Sequence, residues 1–171
     1  MILVEHSLHH FSPLEEILLR IKRWLKADGY FVVNEFVGPT RFQWTARQLE
    51  VINGLLSVLP AKYKRLFGTA SIKVREINTS RLRMILRDPS EAVESAKIRP
   101  LLRKTFDVVE SKEYGGAVLH LLFNGIAQNF LSGDAETQRW LELCFQVEDM
   151  LWASGEVESD FLVAVCRKTS R

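Results

Sequence analysis

The sequence predicts an α/β fold built as a single domain over residues 1–171. Three observations carry that expectation. A β-prone run at Ile2–Glu5, a capped helix and a second β-prone run at Tyr30–Val37 follow one another within about 36 residues. That is the span of a βαβ unit, whose crossover is right-handed by default. Late in the chain, Phe161–Cys166 is an unbroken apolar run, the pattern of a strand buried on both faces. Between these ends lie segments whose apolar residues recur at helical spacing. With 47% hydrophobic residues, 9 Gly and 5 Pro, the chain is neither collagen-like, low-complexity nor a disordered tail. A domain of this length buries about 70% of its unfolded surface, so it can build a core.

Taken in order, Ile2–Glu5 reads as a short strand running into a loop, His6-Ser7-Leu8-His9-His10. Ser12-Pro13-Leu14-Glu15 has the form of a capping box with proline at the first helical position. Leu14, Ile17, Leu18, Ile21, Trp24 and Leu25 fall on one face of the helix that follows, and Gly29 stops it. Tyr30–Val37 is the clearest strand, bounded by Gly29 and Gly38-Pro39. Thr45-Ala46-Arg47-Gln48 is a second capping box, and Leu49, Ile52, Leu55, Leu56 and Leu59 form its helix's stripe up to Pro60. Residues 61–87 are basic and only weakly periodic. Asp88-Pro89 predicts a short helix through Ala96, and Ile98–Lys104 another. Phe106–Glu113 reads as a strand, Gly115-Gly116 as a break, and Ala117–Leu131 as a helix. Asp134 caps a long helix carrying Trp140, Leu141, Cys144, Phe145, Glu148, Leu151 and Trp152, closed by Gly155. Asp160–Lys168 is the last strand.

The net charge of +2 conceals an asymmetry: residues 62–104 carry a net +8 and residues 105–160 a net −9. Either the two blocks face each other or both are solvated surfaces; the basic block also suits an anionic ligand. Aromatic residues are not interleaved with the basic ones, so a nucleic-acid partner is not expected. Gly115–Gly133 is uncharged but carries His120, Asn124, Gln128 and Asn129, so a buried helix is expected there and not a membrane span. The first residues are not expected to act as a signal peptide, because they lack a basic start and Glu5, Glu15 and Glu16 interrupt any apolar stretch. The two cysteines, Cys144 and Cys166, read as reduced and inert core residues of a cytoplasmic protein. There is no G-x-S-x-G elbow, P-loop, H-E-x-x-H or C-x-x-C. Asn78-Thr79-Ser80 is a formal glycosylation acceptor that means little without a secretion signal. His6, His9 and His10 alone fall short of a metal site, because no cysteine or carboxylate stands at recognisable ligand spacing.

Several stretches together resemble class I S-adenosylmethionine-dependent methyltransferases from their fourth strand to their last. These are His6-Ser7-Leu8-His9-His10 at the end of the first strand and Leu25-Lys26-Ala27-Asp28-Gly29-Tyr30-Phe31-Val32-Val33. They continue as Asn34-Glu35-Phe36-Val37-Gly38-Pro39 and Arg41-Phe42-Gln43-Trp44. The resemblance covers almost the whole chain. It implies a partial Rossmann-like methyltransferase sheet, with strands in the family's order 4-5-7-6, the last antiparallel. It also implies a helical insertion or cap over residues 40–105. The family's earlier half contains a strand, a glycine-rich turn and a carboxylate that holds the ribose hydroxyls. No two-glycine turn after an early strand is present here; Gly115-Gly116 follows a late one. The expected function is therefore the C-terminal part of a methyltransferase acting on a small-molecule acceptor. A chain lacking the glycine-rich half is expected to be inactive alone. The alternative is a non-catalytic remnant or dimerisation module without the cofactor site. Without the first half, Ile2–Glu5 becomes a sheet edge, expected to pair with a second copy or with the missing half.

The resemblance also assigns site residues. His6 and Ser7 leave the carboxyl end of a parallel strand and are the candidates for binding S-adenosylmethionine, through backbone as much as side chain. His9 or His10 is the candidate general base, since imidazole titrates near neutrality; otherwise one packs under the helix and the other faces solvent. Glu35 stands near the end of an apolar strand, where it either meets the substrate, pairs with Arg41 or is simply exposed. Arg41 can clamp an anionic group, with Gln43 beside it. Trp44 either walls the acceptor pocket or anchors the next helix. His120 and Asn124 share a helical face, equally well explained as an internal polar pair.

Overall fold

Runs of β-branched and aromatic residues form the strands, and amphipathic runs form the helices between them. The structure, a computed structural model, describes residues 1–169. In chain order its elements are β1 (Ile2–Glu5), α1 (Leu14–Trp24), β2 (Tyr30–Phe36), α2 (Ala46–Val58) and α3 (Arg81–Arg87). There follow α4 (Ile98–Thr105), β3 (Phe106–Glu113), α5 (Leu119–Phe123), α6 (Ala135–Ala153) and β4 (Phe161–Lys168). The chain divides into two units. The first takes Met1–Gln43, Thr79–Tyr114 and the chain from Ser159 onward; the second takes Trp44–Asn78 and Gly115–Glu158. Of the segment expected to form a helical insertion, residues 40–43 and 79–105 thus belong to the first unit and 44–78 to the second.

The first unit is α/β, with an open, mixed four-stranded sheet in the order β1-β2-β4-β3. β1 and β2 are parallel, with Leu3 opposite Val32 and Glu5 opposite Asn34. β4 runs antiparallel to both of its neighbours. One face of the sheet carries the core. Leu14, Leu18 and Ile21 of α1 and Ile98 and Leu102 of α4 pack with Phe31, Val33, Phe106, Leu162, Ala164 and Cys166 from the strands. Burial along β4 alternates: Leu162, Ala164 and Cys166 are buried, while Val163 and Val165 are half-buried. Burial on both faces, expected from the apolar run, is therefore not found, because α1 and α4 fill only one side of the sheet. On the other side Leu3 is 57% exposed.

Three further local expectations for this unit fail. Ser12 does not cap α1; the Glu94 carboxylate, arriving from far along the chain, accepts the Leu14 N–H at 2.7 Å. Trp24 was expected on the buried stripe but is 71% exposed, because the helix ends there and Leu25 turns inward instead. Asp88-Pro89 starts no α-helix. Asp88 accepts the Ser90 N–H at 2.9 Å in an Asx turn, and only a 3-10 turn at Ser95–Lys97 precedes α4.

The second unit is helical. Thr45 and Gln48 form the expected reciprocal capping box of α2. The long uncharged segment does not make one helix: α5 ends at Phe123, Gly125 takes φ 76°, and a 3-10 turn follows at Ala127–Phe130. The break is held by Lys73, whose buried Nζ donates to the carbonyls of Leu121 (2.6 Å) and Asn124 (3.1 Å) and pairs with Glu76 (2.8 Å). His120 and Asn124 are therefore not an i, i+4 pair on one helix, and His120 instead meets the edge of Trp44. Asp134 caps α6 as expected. On that helix Glu148 is buried, and it accepts the N–H groups of Gly116 (2.7 Å), Val118 (2.6 Å) and Leu119 (2.9 Å). A Cβ on Gly115, which has φ +86°, would collide with the Glu148 carboxylate. Gly115 is thus needed for close approach to an internal anion. The basic and acidic blocks do meet, at Lys62–Glu136 in the second unit and Arg99–Glu113 in the first. Among the described residues, no helix is long and apolar enough to cross a membrane.

Candidate functional site

The carboxyl ends of β1 and β2 lie side by side because the strands are parallel and in register. Open α/β sheets gather ligands at such ends. Alternation along β2 puts Glu35 on the same side as Phe31 and Val33, facing the core, and it is 0% exposed. A carboxylate there needs partners. Its Oε2 accepts the N–H groups of Ser7 (2.9 Å) and Leu8 (2.6 Å), and its Oε1 accepts that of Phe36 (2.8 Å) and is hydrogen-bonded to His9 Nδ1. Glu35 thus ties the loop after β1 to the end of β2. The partner is His9; the alternative pairing with Arg41 is not made.

His9 is 8% exposed. Its Nδ1 faces Glu35, so its Nε2 points away, 3.4 Å from Glu91 Oε1. Burial opposes a charged imidazole, but the hydrogen bond and charge of Glu35, with that of Glu91, outweigh it and raise the His9 pKa above its ordinary value. Burial likewise opposes the Glu35 carboxylate, yet His9 and the backbone donors hold its pKa below the usual range. The two stabilise each other as an ion pair.

His10 stacks beside His9, with ring centroids 4.2 Å apart. Its Nδ1 lies 3.3 Å from Ser90 Oγ, and Ser90 in turn donates to Asp88 Oδ1 at 2.7 Å. With the hydroxyl proton on Asp88, Ser90 Oγ accepts from His10 Nδ1–H and leaves the lone pair on Nε2. His9, His10 and Glu91 each offer one ligand atom, all within 4.8 Å of one another.

Four non-glycine residues among those described have positive φ: His6 (43°), Arg41 (57°), Phe42 (49°) and Ala92 (46°). All lie in the first unit, on segments that meet. Arg41 N–H donates to the Ala92 carbonyl at 2.7 Å, and Val93 N–H to that of His9 at 3.2 Å. Backbone strain of this kind persists only where the surroundings over-determine it, and it gathers at functional sites.

The remaining candidates are placed as follows. The His6 N–H donates to Asn34 O at 2.9 Å and the Ser7 N–H to Glu35. Both amides expected to meet a cofactor are therefore engaged inside the fold, leaving side chains and carbonyls. Arg41 reaches the carbonyls of Glu91 (3.2 Å) and Asp88 (3.4 Å), so it braces the 88–91 turn. Gln43 Nε2 donates to the carbonyls of Arg41 and Thr79, both at 3.0 Å, and acts as a loop strut. Trp44 lies in the second unit, 7% exposed; Asn78 holds its backbone on both sides, which fits the anchor role. Ser90 and Glu91 are not among the residues the sequence singles out, because Asp88-Pro89-Ser90-Glu91 has the form of a helix start. Its Asx-turn wording was the signal that could have marked it as a loop. No known protein-family model matches this chain, and neither does any curated protein or solved structure.

Proposed function

We propose that this chain carries one wall of an S-adenosylmethionine-dependent methyltransferase acting on a small-molecule acceptor, and that its first unit corresponds to the second half of that Rossmann-like fold. The observation that carries the reading is the sheet order β1-β2-β4-β3 with β4 antiparallel to both neighbours. It supports equating the four strands with the family's fourth, fifth, sixth and seventh. The strained, polar cluster at the carboxyl ends of β1 and β2 supports placing ligands there.

The donor supplies an electrophilic sulfonium methyl group. Fit to it is partial: the amides of His6 and Ser7 are engaged, and Glu35 is closed off by four internal donors. What these residues offer is the His6 and Ser7 side chains. His9, fixed by Glu35 with Nε2 outward, is the group that in its neutral form accepts a proton from an acceptor that must lose one, with His10 beside it. Glu35 is a positioning residue, and Arg41 and Gln43 shape the loop over the acceptor side. The buried thiols of Cys144 and Cys166, both pushed up to about 11 chiefly by burial, stay protonated, in keeping with a reducing, cytoplasmic setting. The outer edge of β1 pairs with no strand among the described residues. In this fold it receives the strand that leads into the glycine-rich turn or, failing that, a second copy.

The test is amide-resolved NMR of this chain titrated with S-adenosylhomocysteine. Weak, saturable shifts confined to residues 6–10 and 34–41 are expected of one wall. No shifts, or shifts elsewhere only, overturn the reading. They would favour the second reading, a non-catalytic or dimerising relative, which the internal engagement of the His6 and Ser7 amides already supports.

A further inference from the structure

We propose that His9, His10 and Glu91 form a binding site for a divalent transition-metal ion of the zinc class. Two imidazoles and a carboxylate are a donor set that suits such ions, with a fourth position left to water. Three features of the geometry support it.

The first is spacing. Two ligand atoms on a tetrahedral zinc, at about 2.0–2.1 Å from the metal, stand about 3.4 Å apart. His9 Nε2 and Glu91 Oε1 are 3.4 Å apart, and the third ligand atom lies within 4.8 Å of both.

The second is the support behind each ring. A metal-bound histidine almost always donates its other N–H to a carboxylate or another acceptor, which sets tautomer and orientation. His9 Nδ1 is held by the buried Glu35 carboxylate. His10 Nδ1 is held by Ser90, itself oriented by Asp88. With Nδ1 of each ring engaged, Nε2 is the nitrogen left for a metal, and His9 gives up its Nε2 proton when the ion binds.

The third is rigidity. Glu35 is locked by three backbone amides, and the turn bearing Glu91 is braced by Arg41 and joined to the His9 carbonyl through Val93. A preorganised set loses less freedom on binding than a surface cluster would. Sequence reasoning expected no metal here, because Glu91 is brought in by the fold from a distant loop.

The inference stands on the cluster and does not need the methyltransferase reading. The two compete for one nitrogen: with a metal on His9 Nε2, that atom can take no proton, so loading is expected to block any transfer that uses it.

The test is titration of tag-free protein with Co2+, followed by its visible ligand-field absorption. The expected result is one equivalent bound with a tetrahedral spectrum, unchanged in His6→Ala. Affinity should fall at least about tenfold in His10→Ala and in Glu91→Gln, and on the order of 10–100-fold in Glu35→Gln, which touches only the outer support. Paramagnetic effects on the wild-type NMR spectrum, centred on residues 9, 10 and 91, give the same answer without a variant. Absence of stoichiometric binding, equal binding in His10→Ala and Glu91→Gln, or broadening centred elsewhere overturns the proposal. None of these readouts involves the methyl donor, so its failure to bind leaves them unaffected.

Discussion

Glu35 and His9 are both withdrawn from solvent, and each favours the charged form of the other, with help from the Leu8 and Phe36 amides on Glu35 and from Glu91 on His9. Linkage turns this into a pH dependence. His9 has a raised folded pKa, so its contribution is complete below its ordinary 6.5 and is lost as the pH rises through the folded value. Glu35 has a depressed folded pKa, so its contribution is present above its ordinary 4.5 and is lost as the pH falls through the folded value. The pair stabilises the first unit most between those ordinary values. Urea unfolding of the wild type and of His9→Gln, compared across about pH 5 to 9, is expected to show a stability difference that shrinks on the alkaline side. A difference constant over that range would refute the ion pair. Glu35 was legible in the sequence as an unusual carboxylate on an apolar strand. Its partner was not: the sequence pointed to Arg41, and only the path of the loop after β1 brought His9 to it instead.

At the level of elements, buried and half-buried charges substitute for local caps. Glu94 serves the start of α1, Glu148 the amides leading into α5, and Lys73 the carbonyls at the end of α5. Helix ends leave such groups without partners, and a charged side chain from elsewhere is a strong solution when water is excluded. Lys73→Met keeps much of the side-chain volume but strands those carbonyls and Glu76. It is expected to cost about 1–3 kcal/mol in denaturant unfolding and to speed amide exchange over residues 121–126. Unchanged stability and exchange would show that the lysine is not what ends α5. Elements capped by their own neighbours, such as α2 and α6, were readable in the sequence. The break between α5 and the following 3-10 turn was not, since it depends on a lysine some fifty residues upstream.

For the molecule as a whole, the sheet edge dominates. β1 pairs on one side only among the described residues, and Leu3 stands exposed on the face that α1 and α4 do not fill. An open edge flanked by apolar surface is a template for another strand. Sedimentation of this chain is expected to show concentration-dependent association that Leu3→Lys weakens. A monomer at every concentration, in wild type and variant alike, would remove the edge as an association surface.

Strand positions, the two acceptor-rich helix starts at Thr45 and Asp134 and the α/β class follow from periodicity and turn chemistry, which act over a few residues. The division into two units, the meeting of His9 with Glu35 and Glu91, and the role of each buried charge depend on contacts between segments far apart in the chain. A local pattern can show that a carboxylate on an apolar strand must find a partner. Only the packed chain, by bringing particular donors within hydrogen-bonding distance and excluding water, decides which one.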